Sequence, residues 1–267
     1  MKKIIIPNTS FKCSKFIFGT GSLLQILSLK KRLMLLDNAR EKGFTHFDTS
    51  PYYGYGFSEK TVGNFLHNKS DLTVTTKVGL YPPSEKFRNS FLEMLFRKSF
   101  GKIIPHLSKP ISDFSIKNAN RSLEISLKRL GRDCLNILLI HEPIVELINT
   151  DEWLNWLHKL VKDGKIQYYG MSSLSSDRLE KFINKDNKLF NILQAKDSVD
   201  LKEADFITKK NLNLQITFGY MSSLKKRFPN KTFNEISADI LKRNPDGAII
   251  VSTRSHKNLN QIARLCD

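Results

Sequence analysis

Short apolar runs alternate with longer, helix-patterned stretches along this chain, and that alternation restricts the fold more than any other feature. Runs at 15–19, 45–48, 73–77, 136–141, 167–171, 192–195, 213–217 and Ala248–Val251 have the length and apolar content of buried strands. Between them, apolar residues recur at helical spacing, as in Leu33, Leu36 and Ala39, and again in Ile116, Ala119, Leu123, Leu127 and Leu130. Gly43, Gly131 and Gly164 stand where such helices need a left-handed cap. Strands separated by helices pair in parallel, because a parallel neighbour requires a crossover connection. Eight of them, with no linker and no low-complexity tract, predict an α/β fold: a single (β/α)8 TIM barrel domain over 1–267. Closed barrels of this kind need about 250 residues.

One unit is longer than the rest. The interval from Lys77 to His141 is about twice the usual repeat, which leaves 79–113 as an insertion after the third strand. It carries Pro82, Pro83, Pro105 and Pro110, and an apolar stretch from Phe91 to Phe96. Because it leaves the C-terminal end of a strand, it emerges on the face where barrel active sites lie. A partly helical flap beside the substrate is expected, with a decorative excursion, or an oligomer contact through Phe91 and Phe96, as the alternatives.

Composition narrows the partners. The first seven residues offer only three isoleucines between the lysines and Pro7, too short for a secretory signal core, and no apolar run is long enough to span a membrane. Three widely spaced cysteines, Cys13, Cys134 and Cys266, suggest neither a disulfide framework nor a metal site. A cytoplasmic protein without membrane contact is expected. The formal charge of +17 favours anionic partners. Yet the basic residues are dispersed in small groups such as Lys30-Lys31-Arg32 and Lys225-Lys226-Arg227, without a nucleic-acid-binding signature. They read as solvated helix faces, with no nucleic-acid partner and a monomer as the default.

Three strand-like segments deliver four groups with chemistry. Asp48 and Tyr53 lie in Phe47-Asp48-Thr49-Ser50-Pro51-Tyr52-Tyr53-Gly54-Tyr55-Gly56, Lys77 closes Leu72-Thr73-Val74-Thr75-Thr76-Lys77, and His141 closes Leu135-Asn136-Ile137-Leu138-Leu139-Ile140-His141. A free tyrosine, with a pKa of about 10, is a poor acid at neutral pH. A protonated lysine beside it would lower that value, and a buried carboxylate would keep the lysine charged. Residue chemistry alone does not choose between Tyr52 and Tyr53. Each residue also has a plainer role, as a helix cap, a loop cation or a structural histidine; the ordered set of four favours chemistry. His46 sits deeper on the strand of Asp48 and reads as a core residue. His67, His106, His158 and His256 read as surface or loop residues, and Trp153 and Trp156 as helix packing.

In order and context these motifs resemble the aldo-keto reductase family, over about residues 17–265. The resemblance implies that Tyr53, five residues after Asp48, is the proton donor, with Asp48, Lys77 and His141 completing the catalytic set. It implies substrate contacts from Tyr52, Tyr53 and His141. It places a nicotinamide cofactor against Asp48, Thr20, Ser172, Ser173 and Gln194, with Phe218 stacked on its ring. The family's Ser-Pro-Leu is replaced here by Gly219-Tyr220-Met221, of which Gly219 and Met221 are candidate contacts. Ser252, Thr253 and Arg254, followed by Asn258, resemble the phosphate-binding turn, so NADPH is implied, with NADH as the alternative. Gln261 and Ile262 depart from the family's adenine-binding pair. The implied reaction is reduction of a small aldehyde or ketone to an alcohol. The rival is a cofactor-binding regulatory or sensor protein with little turnover. Gly19-Thr20-Gly21-Ser22-Leu23-Leu24 is only half of a dinucleotide fingerprint and reads as the exit of the first strand. Family members often continue past the point where this sequence ends, so a more open pocket is expected, bounded by the insertion, Tyr52 and Glu142-Pro143.

Overall fold

The computed structural model describes residues 1–83, 109–185, 188–221 and 224–266. The chain begins with an antiparallel hairpin, β1 (Lys3–Ile5) and β2 (Lys12–Ser14), which the sequence pattern did not single out. It turns Ile4 and Cys13 inward with Ile6 and Phe11, onto Ile17, Ile137, Ile192 and Ile216 of the barrel interior. The bottom of the barrel is thereby plugged by side chains.

The barrel strands are β3 (Phe16–Gly19), β4 (His46–Asp48) and β5 (Thr73–Val78), followed by β8 to β12 after the insertion. The insertion leaves and re-enters through β6 (Leu80–Tyr81) and β7 (Ile111–Ser112), an antiparallel pair closed by Asp113 N–H donating to Gly79 O at 2.9 Å. The expected flap, with Phe91 and Phe96, falls mostly at 84–108, outside the described residues. The remaining barrel strands are β8 (Leu135–His141), β9 (Ile166–Ser173), β10 (Ile192–Lys196), β11 (Ile216–Phe218) and β12 (Ala248–Val251). All eight pair in parallel, and β12 returns to β3 with Ile249 opposite Phe16, so the sheet closes. The predicted (β/α)8 TIM barrel is the observed fold.

The β11 strand starts later than the 213–217 predicted. The Gln215 side chain accepts from Leu193 N–H at 2.7 Å and donates to Pro7 O and Asn191 O, so a side chain substitutes for ladder bonds at that position.

Helices α1 (Leu29–Glu41), α2 (Phe57–Leu66), α3 (Ile116–Leu130) and α4 (Thr150–Lys162) cover one side of the barrel. After them come α5 (Ser176–Lys185), α6 (Asp205–Thr208), α7 (Leu224–Arg227), α8 (Phe233–Arg243) and α9 (His256–Ala263). Sequence dictates these directly in α3. Ser115 caps its start by accepting from Asn118 N–H, Ala119, Leu123, Leu127 and Leu130 bury one face, and Gly131 ends it at φ 61°. Trp153 and Trp156 of α4 are buried edge to face, 5.3 Å apart, each contributing about 2–3 kcal/mol of apolar burial. His46 is a core residue, as its position on β4 suggests: both ring nitrogens are bonded at 2.7 Å, to the Thr73 and Thr75 hydroxyls. Burial, helped by the charge on Lys77, lowers its pKa to about 3. Among the described residues no helix is long and apolar enough to cross a membrane.

Candidate active site

Parallel strands present their C-terminal ends on one face, and there Asp48, Lys77 and His141 meet. Lys77, with 1% of its surface exposed, points inward from β5. Its Nζ donates to Asp48 Oδ1 at 2.7 Å, Asp48 Oδ2 at 2.8 Å and Thr49 O at 3.0 Å, and lies 3.5 Å from the Tyr53 hydroxyl. Tyr53, rather than Tyr52, therefore carries the phenol that the lysine reaches.

A tight turn delivers that phenol. Gly54, Tyr55 and Gly56 take left-handed φ values of 57°, 58° and 87°, folding the chain between β4 and α2. A Cβ on Gly56 would lie 2.2 Å from Arg129 Nη1, so a side chain there would have to displace that guanidinium as well as bear the strain of φ 87°. Arg129 is itself fixed at 2.9 Å on the buried Glu59 carboxylate, which also accepts from the Thr76 hydroxyl at 2.7 Å.

The electrostatics correct one expectation. Burial raises the Tyr53 pKa, and the Lys77 charge, opposed by Asp48, only partly offsets it, so the net direction is upward and not downward. For Lys77, burial favours the neutral amine, but Asp48 and Tyr53 outweigh it and the ammonium is stabilised. Burial and Lys77 together hold His141 well below its ordinary value, so its imidazole is neutral. Its Nδ1 lies 3.3 Å from the Ser50 hydroxyl, a partner the sequence did not announce, and its ring meets Tyr53 edge-on with centroids 6.0 Å apart.

Above this cluster opens a cavity of about 320 Å³, at the small end of the roughly 300–1,000 Å³ usual for ligand pockets. Of the sequence-predicted residues, Asp48, Tyr52, Tyr53, His141, Ser172, Gln194, Phe218, Gly219, Met221 and Ser252 line it. Leu80, Leu174 and Ile250 add apolar walls that sequence reasoning missed, since nothing separates strand-exit leucines from core leucines by pattern. Glu142, expected at its boundary, is part of the lining.

Five predicted cofactor residues do not line the cavity. Thr20 is buried with its hydroxyl spent on Asp48 O and Ser58 Oγ, because it ties the end of β3 to the end of β4. Ser173 donates to Glu142 Oε2 at 2.7 Å. Thr253 is buried and braces its own turn through Ser255. Arg254 and Asn258 are exposed near the start of α9, outside the cavity.

The residues present suit a nicotinamide dinucleotide. Gln194 Nε2 donates to Asp48 Oδ2 at 2.9 Å, which fixes the amide orientation, and its Oε1 is then buried without a partner. An orphaned acceptor there matches a carboxamide N–H. Gly19 keeps the approach narrow, since a Cβ on it would stand 2.5 Å from Ser252 Oγ. Phe218 faces the same space.

Comparison with known proteins gives the family. Residues 15–206 match the family model described as Aldo/keto reductase family. A D-threo-aldose 1-dehydrogenase from a Pseudomonas species is 31% identical over 172 residues, 62% of this chain and 50% of that protein. An L-galactose dehydrogenase from Arabidopsis thaliana is 30% identical over 183 residues, 64% of this chain and 48% of that protein. The chain thus spans about half the length of the curated relatives it matches. The holo form of an aldo-keto reductase from Bacillus halodurans has the same fold, with a TM-score of 0.76 at 18% identity, covering 100% of this chain and 91% of that one. This chain belongs to the aldo/keto reductase family.

Proposed function

We propose that the protein reduces an aldehyde or ketone to an alcohol with a nicotinamide cofactor, NADPH in preference to NADH. The observation that carries this reading is the buried Lys77 ammonium, paired with Asp48 at 2.7 Å and 3.5 Å from the Tyr53 hydroxyl. Gln194 and Phe218 would hold the nicotinamide, which when bound would supply a hydride. Tyr53 gives its proton to the carbonyl oxygen as negative charge develops there. Its raised pKa keeps that proton in place until the oxygen becomes basic enough to take it, and the Lys77 charge then stabilises the phenolate left behind. Asp48 keeps Lys77 charged through the cycle. When Ser50 donates to Nδ1, neutral His141 carries its proton on Nε2, the nitrogen available to orient the carbonyl oxygen and stabilise the alkoxide.

Preference for NADPH rests on Arg254, an exposed guanidinium at the entrance to α9, where a helix start and a planar cation together suit a phosphate. Titration with NADPH and NADH by fluorescence quenching, followed by a carbonyl panel, tests both parts. NADPH binding tighter than NADH, and turnover lost in Tyr53→Phe, are expected. Cofactor binding with no carbonyl reduced, and no effect of Tyr53→Phe, would replace this reading with the regulatory one.

A further inference from the structure

The chain carries a formal charge of +17, yet among the described residues no lysine or arginine lines the cavity. Its lining holds two carboxylates instead. Asp48 is neutralised from below by Lys77 at 2.7 Å. Glu142 is paired more weakly: among the described residues its cation is Arg178, whose Nη1 donates to Glu142 O at 3.0 Å and lies 3.5 Å from Oε2, and at 41% exposure solvent screens that pairing.

The carboxylate of Glu142 is built in. Its residue follows His141 directly and adopts φ 51°, a left-handed conformation that is costly for a glutamate. Leu174 N–H donates to Oε1 and Ser173 Oγ to Oε2, both at 2.7 Å, and the Glu142 N–H holds Ser172 O at 2.8 Å. The side chain therefore has little freedom to swing out when an anion arrives. Each carboxylate oxygen has two acceptor positions, and Leu174 uses one on Oε1. Because Glu142 lines the cavity, a hydroxyl donor bound there could use the other.

We infer that Glu142 selects substrate by charge, admitting neutral, hydroxyl-bearing aldehydes and ketones and turning away carbonyls that carry a carboxylate or phosphate. This rests on the reductase reading above. His141 supplies no compensating charge, being neutral. An anionic group would meet Glu142 at close range in a partly desolvated cavity, where a like-charge contact is worth on the order of a tenfold loss in affinity.

The test compares kcat/KM for glycolaldehyde and glyoxylate, a pair of similar size that differs in charge. Wild type is expected to favour glycolaldehyde by about tenfold or more, with the preference shrinking at high salt. Glu142→Gln should bring the ratio close to one and remove its salt dependence. Arg178→Gln, which strips the screened countercharge and leaves Glu142, should widen it. A purely structural role would lower both substrates together and leave the ratio alone; that result, or glyoxylate taken as well as glycolaldehyde by wild type, overturns the proposal. NMR-detected titration with glycolate and its neutral isostere glycolamide reads the same discrimination without turnover. If no carbonyl is reduced, the reductase reading falls, and glycolamide binding better than glycolate only while Glu142 is present still upholds the charge filter. Equal binding of the two, or no binding of glycolamide, overturns it.

Discussion

Burial favours the neutral amine of Lys77, and Asp48 first, with Tyr53 after it, outweighs that and keeps it an ammonium. Removing different members of this set should therefore have different costs. Lys77→Met leaves the Asp48 carboxylate buried with Gln194 as its remaining side-chain donor, so denaturant unfolding is expected to show a loss of about 3–5 kcal/mol as well as lost turnover. Tyr53→Phe removes no charge; its turnover should fall by about a hundredfold or more while stability changes by less than about 1 kcal/mol. Equal destabilisation by the two variants would contradict the pairing. The acid must be protonated to act, and its pKa is raised, so kcat/KM for carbonyl reduction should stay level through neutral pH. It should decline only on the alkaline side, beyond the ordinary tyrosine value of about 10. A decline centred near pH 7 would show that Lys77 outweighs burial after all. Asp48, Lys77 and His141 could be read as candidates from strand-end positions in the sequence, whereas Tyr53 was separated from Tyr52 only by the family resemblance, because both phenols follow Asp48 in one turn. The sign of the Tyr53 shift could not be read, because desolvation depends on what the other strands and turns pack over it.

Among elements, the strands were legible because parallel barrel strands are buried on both faces and read as continuous apolar runs between helices. The hairpin of β1 and β2 was not, since three-residue strands leave too short an alternation to register. The segment after β11 was marked only as a departure from the family's Ser-Pro-Leu, and the structure supplies its replacement. Phe218, Gly219 and Met221 line the cavity while Tyr220, 1% exposed, turns the other way and donates to Asp197. Asp197 is gripped at the same time by Arg243 at the end of α8, through Nε at 2.8 Å and Nη2 at 3.1 Å. A hydrogen-bonded anchor thus does the stiffening that a proline ring would do by fixing φ. Tyr220→Phe deletes only the hydroxyl, so the expected result is a several-fold weaker cofactor Kd with the fold retained. Tyr168→Phe is the matched control, losing a phenol that bonds Ser10 in the N-terminal turn. If both variants bind cofactor as wild type does, the anchor does not position the arm.

At the scale of the whole molecule, two buried neutral imidazoles tie stability to pH. His46 is held at about 3 and His141 well below its ordinary value, by burial first and by Lys77 second. The unfolded chain binds protons at both sites near pH 6.5, and the folded one refuses them. Stability is therefore complete above about pH 6.5 and falls as acid is added, by about 1.4 kcal/mol per pH unit for each histidine, until the folded pKa is reached. Acidification also neutralises carboxylates in a chain already at +17, so self-repulsion acts in the same direction and the total loss cannot be assigned to one group. A difference measurement separates them. His46→Gln keeps an amide between Thr73 and Thr75 but has no proton to gain, and it leaves the surface charge untouched. Its unfolding free energy, from urea denaturation, should start below that of wild type near pH 7. The gap should then close by about 1.4 kcal/mol per pH unit between pH 6 and pH 4, because only wild type pays for excluding the proton. A gap that stays constant with pH would mean that His46 is protonated equally in both states, and that the two threonine hydroxyls accept from an imidazolium inside the barrel.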